Sequence, residues 1–228
     1  MMRDFANGEH IPMTLRTTVD APAGSGLGSS SALVVALVDT MRECLHAPLG
    51  VYDVARIAYE IERIDLGLSG GRQDQYAAAF GGVNFIEFLS DDRVIVNPLR
   101  AHRSVINELE SSIVICFSGQ SRESAAIIDQ QQQALTKEIA PAVLAMHQLK
   151  NDALEMKQAF SLGDIDRMAE ILRSSWQAKK ATAAAVSNSR IEQLLELGLK
   201  NGALAGKVSG AGGGDSCFSS FTQRTASG

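Results

Sequence analysis

The sequence predicts an α+β protein built in two parts. Two patterns lead there: short β-branched or apolar runs that read as strands, and longer stretches with helical apolar spacing. Strands and helices mix before about residue 100, and helices dominate after it. A third observation is that glycine clusters stand at junctions between these elements, in residues 24–28, 67–71 and 210–214. The shift near residue 100 sets a domain boundary, drawn as 1–103 and 104–228.

The elements follow in order. "MTLRTTVD" (13–20) alternates and is β-branched, so a strand is expected. A helix follows from about Ser29 to Cys44, closed by Pro48 and Gly50. In residues 51–65, Val51, Val54, Ile57, Ala58, Ile61 and Ile64 recur at helical spacing. "VNFIEF" (83–88) and "RVIVNPL" (93–99) read as strands joined by a turn at Ser90, Asp91 and Asp92. "SSIVICF" (111–117) is a further strand, and a helix is expected from about Glu123 to Ile139. Past Pro141, Val143, Met146, Leu149, Ala153, Met156 and Phe160 mark one apolar helix face. Asp164 is an N-cap for the next helix, and Asn201-Gly202 closes the last one.

Composition narrows the function. The 228 residues are 45% hydrophobic and 21% charged, enough for a sizeable core. A net charge of −5 argues against nucleic acid or an anionic membrane as partner, so any phosphate binding must be local. Cys44, Cys116 and Cys217 form no CxxC pair, and the four histidines lack ligand spacing. That reads as a reduced, cytoplasmic protein without a His/Cys metal centre. "MMRDFANGEH" has no apolar core of a secretory signal, and the apolar run Ala32 to Val38 is too short to span a bilayer.

Chemistry concentrates at the glycines. The first cluster, within "DAPAGSGLGSSSALVVALV" (20–38), follows a predicted strand and opens a helix, where backbone amides point at a phosphate. No lysine follows as a Walker loop requires, and Ser29 stands where a dinucleotide turn needs glycine or alanine. Gly24 and Gly26 would let a ligand approach the backbone, while Ser29 and Ser30 would cap the helix or hold Mg²⁺. A capped turn without a ligand is the plain alternative. The second cluster carries Arg72 and Asp74 at a bend, a candidate base beside a cation, or else a surface pair. Glu62 lies twelve positions before Asp74, off the apolar stripe, where a glutamate is ordinarily solvated. Residues 67–71 also fit GxSxG, but that hydrolase elbow must follow a strand, and a helix is predicted there. The third cluster, "KVSGAGGG" (207–214), offers amides and a cation, or a glycine-rich hairpin.

Together these segments resemble the GHMP kinase superfamily. "PAGSGLGSSSA" (22–32) is similar to its nucleotide phosphate loop and "KVSGAGGG" to its third motif, in matching order and separation. "GGRQDQYAA" with "FGGVNFIEF" resembles most the sugar-1-kinase branch acting on D-glycero-D-manno-heptose 7-phosphate. The resemblance spans residues 14 to about 214. It implies an incomplete ribosomal-S5-domain-2-like N-terminal domain, a ferredoxin-like C-terminal domain, and ATP- and Mg²⁺-dependent phosphorylation of a sugar phosphate at its anomeric hydroxyl. The implied nucleotide residues are Pro22, Gly24, Gly26, Leu27, Gly28, Ser29, Ser30, Ser31, Lys207, Ser209, Gly210, Gly212 and Gly213. Ser29, and after it Ser30, would hold Mg²⁺ with Glu62; Asp74 would serve as base, and Arg72 would face the sugar or its phosphate. A kinase for fucose or galactose and an inactive nucleotide binder stay open, as does the oligomeric state, a homodimer included. The family's first motif has no counterpart here, so the chain reads as truncated before "MMRDF". Residues 215–228 are polar and unlike a buried strand, so an altered, poorly ordered tail is expected there.

Overall fold

The computed structural model describes residues 12–21, 25–118, 124–212 and 217–222. Two compact units divide the chain: Met1–Pro22 with Gly28–Pro98, and Ala23–Leu27 with Leu99–Gly228.

In the first unit, α1 (Ser29–Cys44), α2 (Val51–Glu60) and α3 (Gln73–Phe80) pack on one another beside a hairpin of β1 (Asn84–Phe88) and β2 (Val94–Pro98). The predicted helix over 29–44 and the hairpin form where the pattern places them. The core is small: Val35, Val38, Val54 and Ala58 bury together, and Ala55, Tyr76 and Val96 form a second cluster. The Tyr52 hydroxyl accepts the Val96 amide at 2.9 Å, fastening α2 to the hairpin. Residues 13–20 are exposed and form no strand among the described residues, against expectation. A β-branched run becomes a strand only beside a neighbour that completes its hydrogen-bond ladder, and none accompanies it among the described residues.

In the second unit, α4 (Arg103–Ser112), α5 (Ser124–Thr136), α6 (Ala140–Leu162), α7 (Ile165–Thr182) and α8 (Ser189–Lys200) accompany an antiparallel sheet of β3 (Ile113–Phe117), β4 (Ala203–Val208) and β5 (Cys217–Thr222). The caps are local chemistry. Asp164 accepts the Arg167 amide at 2.9 Å, and Asn188 accepts the Ile191 amide at 3.0 Å. Helix α4 went unpredicted, although Val105, Ile106 and Leu109 carry helical spacing; His102 caps it by accepting the Ser104 amide. The predicted stripe on α6 holds in part: Phe160 is buried and Val143, Leu149 and Met156 are half-buried, whereas Met146 and Ala153 are exposed and Ala142, Ala145, Asp152 and Ala159 are buried instead. Small residues let α6 approach α7 closely, and that packing overrides bulk hydrophobicity.

The tail is the larger correction. Cys217–Thr222 is the middle strand of the sheet, in the order β3-β5-β4, with Ile115 opposite Ser219 and Lys207 opposite Ser219 on the other side. Ladder bonds belong to the backbone, so a serine-rich segment with two strand neighbours can be central despite its polar side chains. The amides of residues 217–222 are therefore expected to exchange slowly in a hydrogen-exchange experiment. Exchange as fast as in a free peptide would contradict the central placement. Residues 213–216 and 223–228 lie outside the described residues.

Candidate active site

Helix α2 does not continue as an α-helix. Residues Ile61–Asp65 form a π-helical turn, in which the Leu66 amide bonds the Ile61 carbonyl at 3.0 Å. A π turn advances less rotation per residue than an α turn, so side chains after it change face. Ile64, expected in the core, is 66% exposed, and Glu62, expected at the surface, is 1% exposed. The turn thus carries a carboxylate inward.

Two hydrogen bonds receive that carboxylate. Ser30 donates its hydroxyl to Glu62 Oε1 at 2.9 Å, and Gln75 donates Nε2 to Oε2 at 2.5 Å. Gln75 Nε2 also reaches Ser31 Oγ at 3.1 Å, tying α3 to the first turn of α1. Among the described residues, no lysine, arginine or histidine is ion-paired with Glu62. A buried carboxylate in that condition is electrostatically incomplete.

The start of α1 is equally unusual. Its N-cap is Gly28, at φ 72°, with no side-chain cap and no acidic residue in the first turn. Neither Ser29 nor Ser30 caps the helix as the plain turn reading requires; Ser30 turns to Glu62 instead. The Asp74 side chain packs on Gly28, with Oδ1 and Cγ about 3.6 and 3.5 Å from where a Cβ would stand. Amides at an uncapped helix start carry partial positive charge and bind anions. A carboxylate, the hydroxyls of Ser30 and Ser31 and these amides therefore converge within residues 28–75.

Arg63 and Arg72 shape the loop between. Arg63 donates to the carbonyls of Gly71 at 3.2 Å, Ser69 at 3.3 Å and Leu68 at 3.4 Å. Residues 67–71 therefore follow a π turn and not a strand, which removes the hydrolase elbow. Arg72 stacks on Tyr59 at 4.8 Å and bonds Asp92 Oδ1 at 2.5 Å; its guanidinium is held in the charged form chiefly by that bond.

In the second unit the third glycine cluster meets residues 25–27. Ser209 donates its hydroxyl to the Gly26 carbonyl at 2.9 Å, and a Cβ on Gly210 would lie 3.1 Å from that same oxygen. Lys179 donates to the Gly210 carbonyl. Gly212, at φ 105°, lies against the Val186 backbone. Burial pushes the Lys207 ammonium below its ordinary range. Pro22, Gly24 and Gly213 lie outside the described residues. Three partners escaped the sequence reading: Gln75, Arg63 and Tyr59. Only Gln75 carried a signal, because it shares the inward i, i+4 face of α3 with Ala79.

Among the described residues no group of three or more His, Cys, Asp and Glu is arranged to hold a metal, and no helix is long and apolar enough to cross a membrane. The first unit thus has a helix start without a side-chain cap beside a buried carboxylate, and the chain belongs to the GHMP kinases. Residues 1–82 match the GHMP kinases N terminal domain, and residues 156–227 match the GHMP kinases C terminal domain. The chain is 45% identical, over 96% of its length, to the D-glycero-alpha-D-manno-heptose 7-phosphate kinase of Campylobacter jejuni, of which it covers 63%. A crystal structure of a D-glycero-D-manno-heptose 1-phosphate kinase from Bacteroides thetaiotaomicron superposes with TM-score 0.66 at 44% identity, covering 89% of this chain and 54% of that one. The bifunctional fucokinase/GDP-fucose pyrophosphorylase of Arabidopsis thaliana is 26% identical over 89% of this chain and 19% of its own. The chain thus spans less than two thirds of each relative.

Proposed function

We propose that the chain acts as an ATP-dependent kinase that phosphorylates the anomeric hydroxyl of D-glycero-D-manno-heptose 7-phosphate, toward nucleotide-activated heptose for surface glycans. The observation that carries this reading is Asp74 packed on Gly28 at the uncapped start of α1. In this reading the loop of Pro22, Gly24, Gly26, Leu27 and Gly28, with Ser29, Ser30 and Ser31, cradles the ATP phosphates. The family resemblance assigns nucleotide contacts to Lys207, Ser209, Gly210, Gly212 and Gly213 as well. Asp74 takes the proton of the anomeric hydroxyl as that oxygen attacks the γ-phosphorus and the bond to ADP breaks. Arg72, anchored to Asp92 and Tyr59, keeps the start of α3 in place for Asp74.

Mg²⁺ fits the oxygen donors here: a buried carboxylate without a cationic partner among the described residues, beside serine hydroxyls. The family resemblance puts Ser29 first with Glu62, but Ser30 is the hydroxyl bonded to Glu62, so Glu62 with Ser30 would hold it and Ser29 is the further hydroxyl in the same helix turn. Bound there, it would neutralise charge on the phosphates. Use of ATP as the phosphoryl donor supports a cytoplasmic activity in this reading.

The sugar follows the heptose kinase of Campylobacter jejuni, at 45% identity, over the fucokinase, at 26%. An ADP-release assay with heptose 7-phosphate, heptose 1-phosphate, fucose and galactose tests it. Release is expected with heptose 7-phosphate. Preference for fucose or galactose would overturn the substrate, and nucleotide binding without release on any sugar would mark an inactive binder.

A further inference from the structure

Gln75 is fully buried, and its carboxamide is used on one side only. Nε2 spends both protons, one on Glu62 Oε2 and one on Ser31 Oγ. Oε1 is buried with no hydrogen-bond partner. Flipping the amide does not relieve this, because it would set a carbonyl oxygen against an acceptor-only carboxylate. Two anomalies thus adjoin each other: a buried carboxylate without a cationic partner among the described residues, and an orphaned acceptor on the amide that grips it. One hydrated cation answers both. A small divalent ion keeps several of its waters, and each water donates hydrogen bonds to acceptors around it.

We propose that Gln75 is a positioning residue of the cation site: its NH₂ group orients Glu62, and its Oε1 would accept a hydrogen bond from a water held by the cation. This rests on the reading of Glu62 as a metal ligand. Outer partners that orient a ligand typically change metal affinity by about 10–100-fold when removed. Ser31 has a smaller share, since it fixes the second proton of the same amide.

The test is Mn²⁺ binding in the presence of a non-hydrolysable ATP analogue, followed by electron paramagnetic resonance, with thermal unfolding recorded on each protein. Glu62→Gln is expected to abolish tight Mn²⁺ binding. Gln75→Met keeps the volume and removes both polar roles, so about 10–100-fold weaker binding is expected, with a smaller loss for Ser31→Ala. A purely structural Gln75 would lower the unfolding temperature and leave Mn²⁺ affinity unchanged. That outcome, with Glu62→Gln still losing the metal, overturns the role of Gln75 and spares the cation site. Unchanged binding in Glu62→Gln, or none in the parent chain, overturns the site and this inference together. If Gln75→Met fails to fold, unchanged Mn²⁺ affinity in Ser31→Ala overturns the proposal.

Discussion

Asp74→Asn is expected to lower turnover by about 10²–10⁴-fold, the range for loss of a positioned base, while nucleotide affinity stays near that of the parent. The substitution preserves shape, so the packing on Gly28 survives. It removes one negative charge from the first turn of α3, where an acid contributes about 0.3–1 kcal/mol, too little to threaten the fold. The effect should therefore fall on kcat and not on binding. Single-turnover phosphorylation of the heptose phosphate, with ATP affinity measured by calorimetry, separates the two. Turnover within a few-fold of the parent would remove Asp74 from the chemistry.

Gly212→Val is expected to unfold the second unit at a markedly lower temperature. Gly212 has φ 105°, which L side chains rarely adopt, and a Cβ there would stand 2.6 Å from the Val186 carbonyl oxygen. The obstacle is backbone, so no side chain can swing aside. Val186 is itself 0% exposed, in a cluster with Trp176, Ile191 and Val208. Backbone strain and overpacking each contribute about 1–3 kcal/mol, and each kcal/mol is worth about 2–4 °C in a protein of this size. A fall on the order of 10 °C follows. Gly71→Ala is the control: nothing lies within 4 Å of its Cβ position, and its φ is not in the restricted range. Calorimetric unfolding of the two variants decides the matter, and similar melting temperatures would refute the close packing at Gly212.

The legible parts of this protein are those decided within a few residues. Asp164 and Asn188 cap their helices because a side-chain oxygen reaches an amide three positions on. The α1 boundaries and the β1–β2 hairpin follow from periodicity and turn chemistry in the same way. Errors arose where a distant partner decides. Residues 13–20 have the composition of a strand without a neighbour, and Cys217–Thr222 has neighbours without the composition. The glycine clusters and the Glu62–Asp74 spacing flagged the candidate site, but α-helical phase put Glu62 on the wrong face. Gln75 stands inside "GGRQDQYAA", but its hydrogen bonds appear only through Ser31 and Glu62.

Helix Val51–Asp65 has an apolar repeat that an unbroken α-helix would satisfy, with Ile64 inside and Glu62 in water. The π turn gives that arrangement up: it leaves an isoleucine at the surface and takes an acid inside. Both exchanges run against burial preference, so this turn is a place where the chain surrenders stability to keep an interior acid.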